Sequence, residues 1–357
     1  MEFALYDSES GYYARAAQRS GRAGDFFTSV DVGPVFGDLL AVQIVEMLGI
    51  VQSQNPNPES RLDLVEAGAG NGRLSADIVR AIRRRDPALY GRLRLHLVEA
   101  SASAREAQRE TLGDISGTLA SSSPELPASF SGVLVANELL DALPTHQVVM
   151  RDDGLREVYV DVQRGGDQLV AIEGPPSTPA LAAYLARLDV SLEPGWRAEI
   201  NLRAADWTRD AVHRLQRGFL ILIDYGHPAR ELYSVTHATG TLTTFSRHTM
   251  AGPERAGQAP AWLDRPGEQD ITAHVDFTGI QRAAEGEGAA TLGLLDQTYF
   301  LLGVGAAEMD GADLKTRLAL KTLLMPGGLG STLKVLILGK NVGSPALRGC
   351  SFRVRLT

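Results

Sequence analysis

The chain has a single cysteine, Cys350, in 357 residues. That rules out an internal disulfide, argues against a structural zinc site, and fits a reducing compartment. No stretch supplies about 18 uninterrupted apolar residues, the length of a membrane-spanning helix, so no membrane insertion is expected. There is no basic excess either: 35 Lys and Arg against 43 Asp and Glu leave a net charge of -8. A non-specific nucleic-acid binder needs a basic face, so nucleic acid is not an expected partner. Met1-Glu2-Phe3-Ala4-Leu5-Tyr6-Asp7 lacks the basic start and hydrophobic region of a signal peptide. It also lacks the Arg-rich, acid-poor character of a transit peptide, and the expected location is cytoplasmic. What remains is an ordinary globular composition, 44% apolar and 22% charged, able to bury a sizeable core. The length suits two domains, or one with a large insertion.

The first forty residues read as loops and turns, followed by an apolar pattern from Val35 that predicts a helix ending at Gly49. Leu62 to Glu66 is a short buried strand entering a glycine cluster. Ser75 to Arg85 reads as a helix, stopped by Asp86-Pro87. Leu93 to Glu99 is a second strand, with Ser101 placed to cap the next helix. A Ser- and Pro-rich loop then leads to a third strand, Gly132 to Asn137. Strands alternating with helices predict a parallel, doubly wound α/β sheet. Residues 145–200 break the rhythm with a hairpin turning at Asp153-Gly154, then a proline-rich loop and a short helix. They read as an inserted cap. The α/β pattern resumes with a helix around Ala204 to Leu215 and a very apolar strand, Phe219 to Asp224. Gly240 to Phe245 reads as a strand, the leucine-rich run Leu318 to Leu324 as core, and Leu333 to Leu338 as a last strand. The expected division is 1–50, a segment covering the cofactor; 60–144, the cofactor-binding core; 145–200, the cap; and 201–357, the rest of the core with insertions.

The most informative stretch is Glu66-Ala67-Gly68-Ala69-Gly70-Asn71-Gly72-Arg73. Alternate glycines between a strand and a helix permit a tight turn and close approach of a ligand to the backbone. A dinucleotide fold wants G-x-G-x-x-G, which would put glycine at Arg73. G-x-G-x-G after an acid is instead the pattern by which methyltransferases hold S-adenosylmethionine. In that reading Gly68, Gly70 and Gly72 accommodate the methionine part, Glu66 meets its ammonium directly or through water, and Glu99 accepts the ribose hydroxyls.

Asn137, Glu138 and Asp141 leave the third strand at its carboxyl end, where ligands sit in open α/β sheets. If a helical turn follows, Glu138 and Asp141 share a face and suit a guanidinium or ammonium acceptor; capping and solvated charge are the plainer alternative. Tyr225 or His227 could line the acceptor pocket or simply make a hydrogen-bonded turn. His274 with Asp276 raises a metal or a base, but no second pair at ligand spacing exists, so a structural hydrogen bond is favoured and no metal is expected. No G-x-S-x-G elbow supports a serine hydrolase.

These blocks together resemble the MidA family of class I methyltransferases, whose eukaryotic member is a mitochondrial complex I assembly factor with protein-arginine methyltransferase activity. The matching stretches run through nearly the whole chain. They include Ala4-Leu5-Tyr6, Gly11-Tyr12-Tyr13, Gly24-Asp25-Phe26-Phe27-Thr28-Ser29, Asn137-Glu138 through Asp141-Ala142-Leu143-Pro144, Ile223-Asp224-Tyr225-Gly226-His227 and Asp270-Ile271-Thr272-Ala273-His274-Val275-Asp276-Phe277. The resemblance implies a class I, Rossmann-like sheet and methyl transfer from S-adenosylmethionine to an arginine of a protein substrate, with complex I assembly as precedent. By matching position, Gly24, Asp25, Thr28 and Ser29 close over the cofactor, while Asn137, Glu138 and Asp141 border the acceptor. Departures stand at Ala69, at Val30-Asp31-Val32-Gly33, and at Leu139 and Leu140, where the family often has other residues; smaller side chains near the acceptor bear on its identity. A small-molecule methyltransferase and a non-catalytic assembly factor that binds the cofactor are the rival readings. A NAD-linked oxidoreductase is disfavoured by the glycine spacing, and a homodimer is compatible with the sequence.

Overall fold

The computed structural model describes residues 1–14, 28–55, 57, 59–166, 168–246, 249–252, 260–309 and 313–352. A short helix α1 (Glu2–Tyr6) precedes α2 (Val35–Ser53). The first α/β units are β1 (Leu62–Ala67), α3 (Arg73–Arg85), α4 (Pro87–Tyr90), β2 (Leu93–Val98), α5 (Ala102–Leu112), β3 (Leu119–Ser123) and β4 (Phe130–Asn137). An antiparallel stretch follows: β5 (His146–Arg151), β6 (Gly154–Val162), β7 (Leu169–Gly174), α6 (Ala180–Leu188) and β8 (Arg197–Ile200). Then come α7 (Leu202–Arg214), β9 (Leu215–His227), α8 (Ala229–Leu232), β10 (Thr243–Ser246), β11 (Thr249–Ala251), β12 (Asp270–Thr272) and β13 (Val275–Asp276). The chain closes with α9 (Phe277–Gly286), β14 (Ala290–Asp296), α10 (Gln297–Gly303), α11 (Leu314–Leu324), α12 (Leu329–Thr332) and β15 (Leu333–Lys340).

The main sheet has the order β14-β15-β9-β4-β1-β2-β3, with β13 added beside the end of β9. From β3 to β9 all neighbours are parallel, whereas β15 runs antiparallel to both β9 and β14. A dinucleotide-binding sheet is built from two parallel halves in the order 3-2-1-4-5-6. Here the last strand is instead reversed and inserted between β9 and β14. Alternation along the strands divides two cores: Leu62, Leu64, Phe219 and Ile221 face α2 and α3, while Val65, Leu134, Leu220 and Leu222 face α7 and α9. Strands β1, β4 and most of β9 are buried on both faces, which is why they read as near-continuous apolar runs.

Helix α2 continues past Gly49 because Ile50 and Val51 extend its apolar pattern and Val51 is buried. By length and composition it could cross a bilayer, yet 61% of its apolar window is buried inside the protein. The Ser- and Pro-rich loop expected before the third strand holds β3, an edge strand whose serines face partly outward. The leucine-rich run expected to be core lies on α11, where only Ala319 and Leu323 are buried and Leu318 is 55% exposed. That helix sits at the margin of the structure and buries a single stripe. Residues 146–200 form their own four-stranded sheet, β7-β6-β5-β8, packed on α6 and α8. A fourth cluster joins Leu5 and Tyr12 of the N-terminal segment to Leu242, Ile271 and Ala273, seating that segment on the β10–β12 sheet.

Candidate active site

Strand β1 delivers the glycine loop. Gly68, Gly70 and Gly72 have φ of +72°, +51° and +86°, the left-handed region that side chains with a Cβ rarely occupy. The loop is braced from both sides. Glu99, at the end of β2, accepts from the Gly70 N–H at 2.8 Å through Oε2 and from the Ser101 N–H at 2.8 Å through Oε1. Gln108, fully buried on α5, donates to the Gly70 carbonyl at 2.8 Å and accepts from Ser122 Oγ at 2.7 Å. Nothing in the sequence pattern singled out Gln108. Each Glu99 oxygen keeps a lone pair beyond these main-chain bonds, so the carboxylate can still accept hydroxyls.

Glu66 is buried, and its Oε2 accepts from the Ser75 N–H at 3.0 Å and from Ser75 Oγ. It thereby takes up one of the N–H groups left without a partner in the first turn of α3. Burial pushes its carboxyl up to about 7, against the pull of the two Ser75 bonds. A carboxyl with a higher pKa folded than unfolded binds more protons in the native state between the two values. Stability therefore falls as pH rises from about 4.5 to about 7. The loss across that window is roughly 3 kcal/mol. Glu66→Gln, which can still accept from Ser75, is expected to remove this part of the decline. Urea unfolding of both proteins at pH 5 and pH 8 checks it; an equal decline in the two would assign the pH dependence elsewhere.

The N-terminal segment reaches the loop through Asp31. This residue accepts from the Thr28 N–H and Oγ1, both at 3.0 Å, and pairs with Arg73 at 2.5 Å. Arg73, which stands where a dinucleotide fingerprint would have glycine, thus ties this segment to the start of α3. Ser29 is fully buried and its hydroxyl donates to Gln297 Oε1 at 3.1 Å, so its side chain is turned toward α10. Gly24 and Asp25 lie outside the described residues.

The elbow after β4 does not continue into a helical turn at Glu138. Glu138 adopts φ +52°, its N–H bonds to the Ile223 carbonyl at 2.8 Å, and the chain then bends around Asp224. Asp224 Oδ2 accepts from the N–H groups of Leu139, Leu140 and Asp141 at 3.1, 2.8 and 3.3 Å. One carboxylate at the end of β9 thus replaces the hydrogen bonds a helix would have made. Burial raises Asp224 to about 7, against the pull of these donors. Asp141, buried beside Asp224 and Asp270, is raised well above the usual carboxylate range, first by burial and then by those charges. Glu138 is pushed up to about 8 by burial and by Asp141, while the Asn137 amide, 3.0 Å away, pulls it down. Tyr6 donates to the Ala142 carbonyl at 3.1 Å and Tyr13 to Asp270 Oδ1 at 2.8 Å, so the two N-terminal tyrosine blocks fold over this elbow. Among the described residues no Lys, Arg or His forms an ion pair with Glu138 or Asp141, and the Asn137 Oδ1 is buried without a partner.

The remaining candidates separate. Asp276 caps α9 through the Gly279 N–H at 3.1 Å and accepts from Tyr184 at 2.7 Å, so its partner is not His274. A Cβ on residue 279 would lie 2.0 Å from the Tyr184 hydroxyl, which is why glycine stands there. His274 lies instead beside His227, and burial followed by the neighbouring imidazoles lowers it to about 4, too low for a base at neutral pH.

Known proteins resemble this chain in sequence and in fold. A profile of an S-adenosyl-L-methionine-dependent methyltransferase family matches residues 39–295. The protein arginine methyltransferase NDUFAF7, mitochondrial, of Mus musculus is 30% identical over 331 residues, covering 85% of this chain and 69% of that one. The Homo sapiens protein of that name is 28% identical over 335 residues, covering 85% and 68%. A crystal structure from Burkholderia thailandensis, bound to S-adenosyl-homocysteine, superposes with a TM-score of 0.86 at 31% identity, covering 98% of this chain and 89% of that one. The doubly wound, Rossmann-like sheet with its reversed last strand is accordingly a class I methyltransferase fold. Since the family profile spans residues 39–295, most of the chain, the chain belongs to the S-adenosyl-L-methionine-dependent methyltransferase family.

Proposed function

We propose that the methyl acceptor is an arginine of a protein, and that Asn137, Glu138 and Asp141 receive its guanidinium. The observation that carries this reading is the pair Glu138 and Asp141, raised in pKa and without a cationic partner among the described residues. Enclosed carboxylates of this kind are costly unless a cation arrives to pair with them. Arginine offers a planar fork that meets carboxylates bidentately. The relatives named as protein arginine methyltransferases support the same assignment.

The chain's cofactor, S-adenosylmethionine, fits the loop as built: among the described residues no atom would lie within 4 Å of a Cβ at Gly70, so the turn leaves room for a ligand. Gly68, Gly70 and Gly72 would cradle it, Glu99 would take the ribose hydroxyls, and Glu66 would reach the ammonium through water or its second oxygen. When bound it supplies a methyl group made electrophilic by the sulfonium. Glu138 and Asp141 would then hold the guanidinium, fix which nitrogen faces the methyl, and favour lone-pair density on it. Thr28 and Ser29 would cover the site and exclude water. We place the enzyme in the cytoplasm and regard a role in assembling a complex I-type subunit as the extension of the family precedent.

Incubating the enzyme with methyl-labelled S-adenosylmethionine and lysate proteins, then hydrolysing the products, tests the acceptor. Label recovered as methylarginine is the expected result. Label recovered only in small molecules would transfer the assignment to the small-molecule reading, and no label with a bound cofactor would favour an assembly factor without turnover.

A further inference from the structure

Three histidines from three separate segments converge. His227 ends β9, His237 closes the turn Val235–His237, and His274 lies between β12 and β13. Their rings are 4.7, 5.3 and 6.0 Å apart, centroid to centroid, and one nitrogen of each lies within 4.8 Å of the others. From this geometry we propose a site for a divalent transition metal of the zinc class, held by His227, His237 and His274.

Two further observations fit a ligand set better than a hydrogen-bonded cluster. Nδ1 of His227 lies 2.8 Å from the Glu231 carboxylate, and Nδ1 of His237 lies 3.0 Å from the Glu231 carbonyl. One residue thus stands beside a nitrogen of both rings, and each ring has a second nitrogen that can ligate. A carboxylate or carbonyl behind the imidazole is the usual support of a metal-bound histidine. Nδ1 of His274 and Nδ1 of His227 are both buried with no hydrogen-bond partner among the described residues. All three rings are only partly buried, so an ion can enter. Lys334, the nearby positive charge, is held by Asp296 at 2.7 Å.

Nitrogen ligands suit zinc, copper and nickel rather than calcium or magnesium. Tetrahedral zinc with bonds of about 2.0–2.1 Å needs its nitrogens about 3.3 Å apart, a closure that small side-chain rotations supply. Three ligands leave a fourth position for water. The ion would pin the end of β9, the His237 turn and the β12–β13 link together. Ala273, next to His274 in that link, donates its N–H to the Asp141 carbonyl at 3.0 Å. A metal there would therefore brace one wall of the elbow, and this inference does not depend on what the acceptor is.

Chelator-treated full-length protein, free of any affinity tag, is titrated with zinc chloride against a chromogenic chelator. One equivalent per chain is expected, bound with a micromolar or tighter Kd, together with a rise in Tm. X-ray absorption of the zinc complex should show about three imidazole nitrogens at about 2.0 Å and no sulfur. His237→Ala and His274→Ala should each weaken binding by at least about 100-fold, and Glu231→Gln by about 10- to 100-fold. Well under one equivalent, a shell without imidazole, or unchanged binding in His237→Ala would overturn the site. Should His274→Ala fail to fold, the absorption spectrum of the unaltered protein and the His237 variant decide between these outcomes.

Discussion

Glu138→Gln is expected to lower kcat for methyl transfer by about 10²- to 10⁴-fold, the range for losing a positioned ionisable group, while moving the cofactor Kd by no more than a few-fold. Glutamine keeps the length and shape of the side chain and can still meet the Asn137 amide, 3.0 Å from the present carboxyl oxygen. The unusual backbone at this position, φ +52°, is no harder for glutamine than for glutamate. What is lost is the charge. With its pKa at about 8, Glu138 is mostly protonated in the free enzyme at neutral pH. The ionised form, which the cation needs, grows as pH rises, so kcat/KM should climb through about pH 8 before levelling. Glu138→Gln should lack that limb, a signature that a merely structural defect does not produce. Transfer rates and calorimetric cofactor affinity, measured on both proteins from pH 6 to 9.5, read both effects. Parallel loss of affinity and rate would mean that the elbow holds the cofactor rather than the acceptor.

How the sequence and the structure divide the information can be seen at this same elbow. The Asn-Glu-x-x-Asp block was legible as an acidic turn at the carboxyl end of a strand, because a run of buried apolar residues ends abruptly in charge. The agent that shapes the turn was not. Asp224 lies more than eighty residues away, and its three bonds to Leu139, Leu140 and Asp141 exist only because β9 pairs with β4. The glycine loop was local and therefore readable, down to the three positions that take positive φ. Its brace was not, because Gln108 looks like any glutamine on an amphipathic helix until α5 packs beneath Gly70. The tyrosines Tyr6 and Tyr13 were noticed only as parts of matching blocks; their use over Ala142 and Asp270 depends on contacts between residues 1–14 and the β10–β12 sheet. The three histidines are the extreme case, since positions 227, 237 and 274 show no metal-ligand spacing along the chain. The misjudged leucine run on α11 fails for the opposite reason: composition reported apolarity, but a helix at the margin has too little protein around it to bury more than one stripe.

Gly70→Val should weaken S-adenosyl-homocysteine binding by at least about 100-fold, the largest effect expected of any change in the loop. Micromolar affinity corresponds to about -8 kcal/mol, and each tenfold loss to about 1.4 kcal/mol. Two costs combine. A β-branched residue at φ +51° carries about 1–3 kcal/mol of backbone strain, which the loop can relieve only by moving the N–H that Glu99 holds at 2.8 Å. The new side chain also projects where no atom of the described residues lies within 4 Å, so it fills the ligand's space rather than the protein's core. For that reason folding should suffer far less than binding, with a Tm drop of only a few degrees. Glu99→Ala is the complementary change: it frees the Gly70 N–H and removes the acceptor for the ribose hydroxyls, so affinity should again fall steeply. Glu99→Gln, which retains an oxygen for Gly70 but loses the charge, should fall between the two. Calorimetric titration of the four proteins, with circular dichroism to show that each is folded, separates strain from blockage. If Gly70→Val folds and binds like the parent, the loop is not the cradle, and both the ribose role of Glu99 and the placing of the acceptor at the neighbouring elbow fall with it.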